Sequence, residues 1–89
     1  MELTYLQDPG HGWVGCPLPL ARQFGILPKV SRYSFVEADR DILWLEEDCD
    51  AGLLMRALAD SSIAYTIKER HAPVSAYVRG LPRWEGGAA

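Results

Sequence analysis

Between Glu37 and Asp50 the chain sets seven carboxylates (Glu37, Asp39, Asp41, Glu46, Glu47, Asp48 and Asp50) and one base, Arg40, around the apolar run Ile42-Leu43-Trp44-Leu45. Continuous apolar character over so short a run predicts a strand covered on both faces, in the interior of a sheet. One segment therefore predicts a buried strand and a dense negative patch together.

The rest of the chain supplies partners for that strand. Leu3-Thr4-Tyr5-Leu6 reads as a short strand stopped by the turn signal Asp8-Pro9-Gly10. Trp13 to Cys16 reads as a second, with Gly12 and Gly15 permitting close backbone approach. Pro19 suits the first turn of a helix, so 19–24 is predicted as a short helix with Gly25 at its stop. Val30 to Val36 is strand-like, with Tyr33 and Phe35 on one face and Arg32 and Ser34 on the other. Glu37-Ala38-Asp39-Arg40 is a polar turn, Ile42 to Glu46 returns as a strand, and the two strands make the best hairpin candidate.

Ala51, Leu54, Met55 and Leu58 recur at i, i+3, i+4 and i+7, which predicts an amphipathic helix over about 49–61. Asp48 is its expected N-cap, and Asp50 suits the positive end of its dipole. Residues 64–70 form another strand, 74–78 pair weakly, and Leu81-Pro82-Arg83-Trp84 is an irregular tail. The expected fold is α+β in the order β-β-α-β-β-α-β, a small, mainly antiparallel sheet with two helices on one face. Residues 1–84 make a single domain and 85–89 a frayed end.

Composition narrows the function. The chain has 89 residues, is 48% hydrophobic and carries a net charge of −3, which suits a globular domain. Residues 1–50 carry −5 and residues 51–89 carry +2, so a general nucleic-acid binder is not expected. With no long apolar stretch, no leader pattern and two cysteines, the expected setting is cytoplasmic, with reduced thiols and no membrane contact.

Candidate chemistry is thin. His11, Cys16, Cys49 and His71 are the soft metal ligands, but they are scattered singly and lack the paired spacing of a zinc site. No metal or other cofactor is expected. Cys49 at a helix start would have a lowered thiol pKa, yet Asp48 and Asp50 flank it and oppose thiolate formation. Glu46, Glu47, Asp48 and Asp50 are sequential and do not converge as a paired-carboxylate site would. Arg70, His71, Tyr77, Arg79, Arg83 and Trp84 form a basic-aromatic tail of the kind that can hold single-stranded nucleic acid.

Three motifs, Asp8-Pro9-Gly10-His11-Gly12-Trp13, Tyr33-Ser34-Phe35 and Trp44-Leu45-Glu46-Glu47-Asp48-Cys49-Asp50-Ala51, resemble the recurring pattern of a group of small proteins from phages, plasmids and integrated elements. The resemblance spans most of residues 5–70. It implies a mobile-element accessory protein, and among those, small acidic domains that block host defence complexes, anti-CRISPR proteins above all.

The expectation is a non-enzymatic binder that docks an acidic corner on a basic groove of a host protein complex, such as a CRISPR effector. Its partner-binding residues would be Glu37, Asp39, Asp41, Glu46, Glu47 and Asp50, with Trp13 and Trp84 as anchors. No catalytic residue is expected, and a homodimer is compatible with the composition. The alternatives are a small metal-dependent or hydrolytic enzyme using His11, His71 and carboxylates, and a single-stranded nucleic-acid binder using the C-terminal tail.

Overall fold

A computed structural model describes residues 1–7, 10–71 and 74–85. The Asp8-Pro9 turn and most of the expected frayed end lie outside the described residues. The elements are β1 (Glu2–Gln7), β2 (Gly12–Pro17), α1 (Leu18–Gln23), β3 (Phe35–Glu37), β4 (Ile42–Glu46), α2 (Ala51–Asp60), β5 (Thr66–His71) and α3 (Val74–Arg79). Single 3-10 turns at Leu27–Lys29 and Ala38–Arg40 fill two of the connections.

The five strands form one sheet in the order β3-β4-β2-β1-β5. The fold is α+β. Three pairings are antiparallel, and β1 with β5 is parallel. The expected hairpin is β3–β4, pairing Phe35 with Trp44. β4 sits inside the sheet, and Leu43, Trp44, Leu45 and Glu46 are all buried.

Strand alternation sorts the core into two layers. Leu3, Val14, Cys16, Leu43 and Leu45 face α1 and α2, where they meet Leu18, Ala21, Leu54 and Leu58. Leu6, Trp13, Phe35 and Trp44 face the opposite side and meet Val78 of α3. The two expected helices do share one face, but a third helix lies on the other. That is a correction: 74–78 is helical, not a weakly paired strand. Val and Tyr favour strands in isolation, but burying Val78 completely in the second layer decides the local structure.

Helix ends follow local chemistry. In α1, Ile26 N–H bonds to Ala21 O and Gly25 N–H to Arg22 O, with Gly25 at φ 67°, the Schellman arrangement. α2 ends the same way, with Ile63 N–H on Leu58 O and Ser62 N–H on Ala59 O. There the left-handed position is taken by Ser62, at φ 55°.

The start of α2 and the length of β3 differ from expectation for one shared reason. Asp50 is only 1% exposed. Its carboxylate accepts from Ser31 N–H (3.0 Å), the Ser31 hydroxyl (2.7 Å) and the Ser34 hydroxyl (2.5 Å). These bonds hold residues 31–34 out of the ladder, so the strand begins at Phe35 and not at Val30. Asp48 is not the N-cap. Asp50 occupies that position without a side-chain cap bond, and the Glu46 carboxylate takes the amides of Asp48 (2.7 Å) and Cys49 (3.2 Å).

Residues 82–84 are not a loose tail. Val36 N–H bonds to Pro82 O and Trp84 N–H to Ser34 O, both at 2.8 Å, and Arg83 bridges Phe35. They cover the outer edge of β3, which would otherwise present unpaired backbone groups.

Candidate functional site

The sheet order brings the three sequence motifs to one place. A groove of about 340 Å3 is lined by His11 and Trp13 from the first, Tyr33 and Phe35 from the second, and Glu46, Asp48 and Cys49 from the third. Arg79 of α3 and Arg83 close it.

β2 and β3 flank β4, so Trp13, Phe35 and Glu46 fall on one sheet face. Trp13 and Phe35 meet edge to face at 6.0 Å. The Arg79 guanidinium lies 5.0 Å over the Trp13 ring, and that of Arg83 5.2 Å over Phe35. Each such contact contributes roughly 0.5–1 kcal/mol at an exposed site. Arg83 also donates to Arg32 O at 3.0 Å. His11 rests 6.1 Å from Trp13, and Tyr33, 62% exposed, stands at the rim. The indole N–H of Trp13 is buried and has no acceptor among the described residues.

The thiols here are poor nucleophiles. Cys49 is exposed, but local loss of solvation and then the charges of Glu46, Asp50 and Asp48 push its thiol above the ordinary value. Burial pushes Cys16 up to about 12, partly offset by a backbone hydrogen bond from Ala21. No three His, Cys, Asp or Glu residues gather as metal ligands among the described residues. The strand register sets His71 beside Gln7 and Gln7 beside Gly12. The two histidine positions therefore share one end of the sheet, and His11 is the one among the described lining of the groove.

The expected acidic corner is divided. Glu37, Glu46 and Asp50 are buried, at 5%, 5% and 1% exposure. Glu37 accepts from Trp44 Nε1 (3.1 Å) and the Tyr77 hydroxyl and pairs with Arg40 at 3.6 Å. All three acids are engaged in hydrogen bonds within the fold. Asp39 and Asp41 are exposed at the β3–β4 turn, Glu47 and Asp48 at the far end of β4. A five-residue strand separates the two pairs by roughly 16 Å at about 3.3 Å per residue.

Glu47 also takes the Tyr5 hydroxyl. Of the two expected anchors, Trp13 is 2% exposed and supports the groove from beneath. Trp84 is half-buried against the other core layer. Tyr33, Arg79 and Arg83 were the residues to find. Their signal was the Tyr33-Ser34-Phe35 motif and the arginines spaced among aromatics after residue 70.

No protein-family model, no curated protein and no solved structure matches this chain. Among the described residues no helix is long and apolar enough to cross a membrane.

Proposed function

We propose that this protein is a non-enzymatic recognition module that docks on a partner protein with the face around the His11–Tyr33–Arg83 groove. The observation that carries this reading is the convergence there of three motifs distant in sequence, which leaves Tyr33, His11, Cys49 and Arg83 exposed around a buried aromatic base. Tyrosine and arginine over a preformed, well-packed base are the composition of an interface hot spot. Asp48 at one rim adds steering toward a basic partner. In the mobile-element setting that the resemblance implies, a CRISPR effector is the first partner to test.

The experiment is affinity capture from host lysate with three tagged forms: wild type, Tyr33→Ala/Arg83→Ala, and Asp39→Lys/Asp41→Lys. A stoichiometric protein kept by the turn variant and lost by the groove variant supports the reading. The reverse pattern returns the contact to the acidic turn. Capture of nothing by any form counts against a binding role.

A further inference from the structure

The two edges of the sheet are finished differently. Residues 82–84 bond to the outer side of β3. At the other edge, no backbone hydrogen bond reaches the outer side of β5 among the described residues. Thr66 N–H donates to Met1 O at 2.8 Å, so the backbone groups of Thr66 face β1. Alternate residues of a strand point their backbone groups the same way, which sends the N–H and C=O of Ile67 and Glu69 outward. Every residue from Thr66 to Arg70 is exposed. An exposed row of unpaired donors and acceptors is a template for a further strand.

The side chains of β5 decide what that strand is. Lys68 and Arg70 share one sheet face, and their cross-strand neighbours on β1 are the uncharged Thr4 and Leu6. Neither cation has an ion-pair partner among the described residues. Ile67 points to the other face and is 42% exposed. A second copy of the chain fits this edge poorly. Two-fold pairing of β5 with itself over most of its six residues must centre on Lys68 or on Glu69. The first register sets Lys68 against Lys68. The second sets Glu69 against Glu69 and Lys68 against Arg70. Like charges directly opposite destabilise a strand pair.

We propose that β5 receives an extended, acidic segment of a partner protein as a sixth strand of the sheet. Main-chain bonds to Ile67 and Glu69 hold the segment, and carboxylates two residues apart meet Lys68 and Arg70. The side chain between those carboxylates falls on the opposite face, where an apolar residue covers Ile67. Recognition therefore depends on an acid–apolar–acid alternation and not on charge alone. β5 contributes no lining residue to the groove described above, so the inference goes beyond the groove reading and stands without it.

The test is an NMR titration of the full chain with three capped octapeptides, following the backbone amide signals of Ile67 and Glu69. In one peptide glutamate alternates with valine, in the second lysine replaces glutamate, and in the third four glutamates precede four valines. The expected result is a saturable downfield shift of both amides with the first peptide, with the other two binding at least tenfold more weakly. Lys68→Glu/Arg70→Glu, at two exposed positions, reverses the preference to the lysine peptide. Ile67→Pro removes one outward N–H and no bond to β1, and weakens the first peptide at least tenfold. Tyr33→Ala/Arg83→Ala leaves peptide binding unchanged, so failure of the groove reading and failure of this one are told apart. The inference is overturned if the first peptide at millimolar concentration leaves both amides unmoved, or if either control peptide binds as tightly. It is equally overturned if the two amides shift with protein concentration alone, which would give the edge to a second copy.

Discussion

The Ser34 hydroxyl donates to the Asp50 carboxylate at 2.5 Å and accepts the Glu46 amide at 3.0 Å. One buried serine thereby ties the loop before β3 to the end of β4 and the start of α2. With both Ser31 bonds, Asp50 satisfies three donors from within the protein.

Asp50→Ala removes all three acceptor contacts at a position 1% exposed. A buried donor left unpaired costs about 1–3 kcal/mol, and water reaches the cavity in part, so a total loss of about 3 kcal/mol is expected. Asp50→Asn keeps one acceptor oxygen and should lose roughly half as much. Urea midpoints measure both. An alanine variant as stable as wild type would show that the network contributes nothing net.

Glycine is needed in one place here and wasted in another. At Gly15 a Cβ would meet the Trp44 ring at 2.8 Å. That ring is 4% exposed and held by Glu37, so it cannot swing away. Gly15→Ala should destabilise by about 1–3 kcal/mol through overpacking. Gly52 lies in α2, and a Cβ there would have nothing within 4 Å, so Gly52→Ala should stabilise by about 0.5–1 kcal/mol. Ser62 holds the left-handed stop of the same helix. Ser62→Gly should add about 1 kcal/mol by relieving that backbone cost. Each kcal/mol shifts Tm by roughly 4–8 °C in a domain of this size, so thermal melts resolve all three signs.

The two cysteines should separate cleanly by reactivity. Cys16 is fully buried with its thiol pushed up to about 12. Cys49 is exposed but slowed by local loss of solvation and by the acidic groups around it. A coloured disulfide reagent at pH 8 should release one equivalent from the native protein, more slowly than from a free thiol, and two after guanidinium is added. Rapid release of two equivalents from native protein would contradict the placement of Cys16.

Much of the fold is legible in the sequence. The run from Ile42 to Leu45 demands an interior strand, and Ala51, Leu54, Met55 and Leu58 mark the apolar face of α2. The first signal is a continuous run and the second is periodic, and both are local. The roles of neighbouring acids are not legible. Glu46, Asp48 and Asp50 compete for the same helix start, and the choice is made by Ser31 and Ser34, which lie 19 and 16 residues before Asp50.

α3 escapes a sequence reading because Val74, Tyr77 and Val78 favour strands, while the layer that buries Val78 is built from β1 to β4. The groove is hidden for a related reason. Its residues are all visible as motifs, but only the order β3-β4-β2 makes them neighbours.

The Tyr5–Glu47 contact gives the fold an alkaline limit. Burial, then the bond to Glu47, then the charges of Glu47, Glu69 and Asp48 raise Tyr5 to about 12 from 10.0. A group whose pKa is raised on folding stabilises fully below its unfolded value, and that contribution is lost as pH rises through the folded one. For Tyr5 the window is therefore pH 10 to about 12. Cys16, raised from 9.0 to about 12, adds a loss beginning nearer pH 9. Tyr5→Phe removes the hydroxyl and with it the titration. The variant should be less stable than wild type at pH 7, where the Glu47 bond is intact, and should lose stability less steeply between pH 10 and 12. Urea denaturation at pH 7, 9, 10 and 11 measures both effects, and equal slopes for the two proteins above pH 10 would remove Tyr5 from the account of alkaline unfolding.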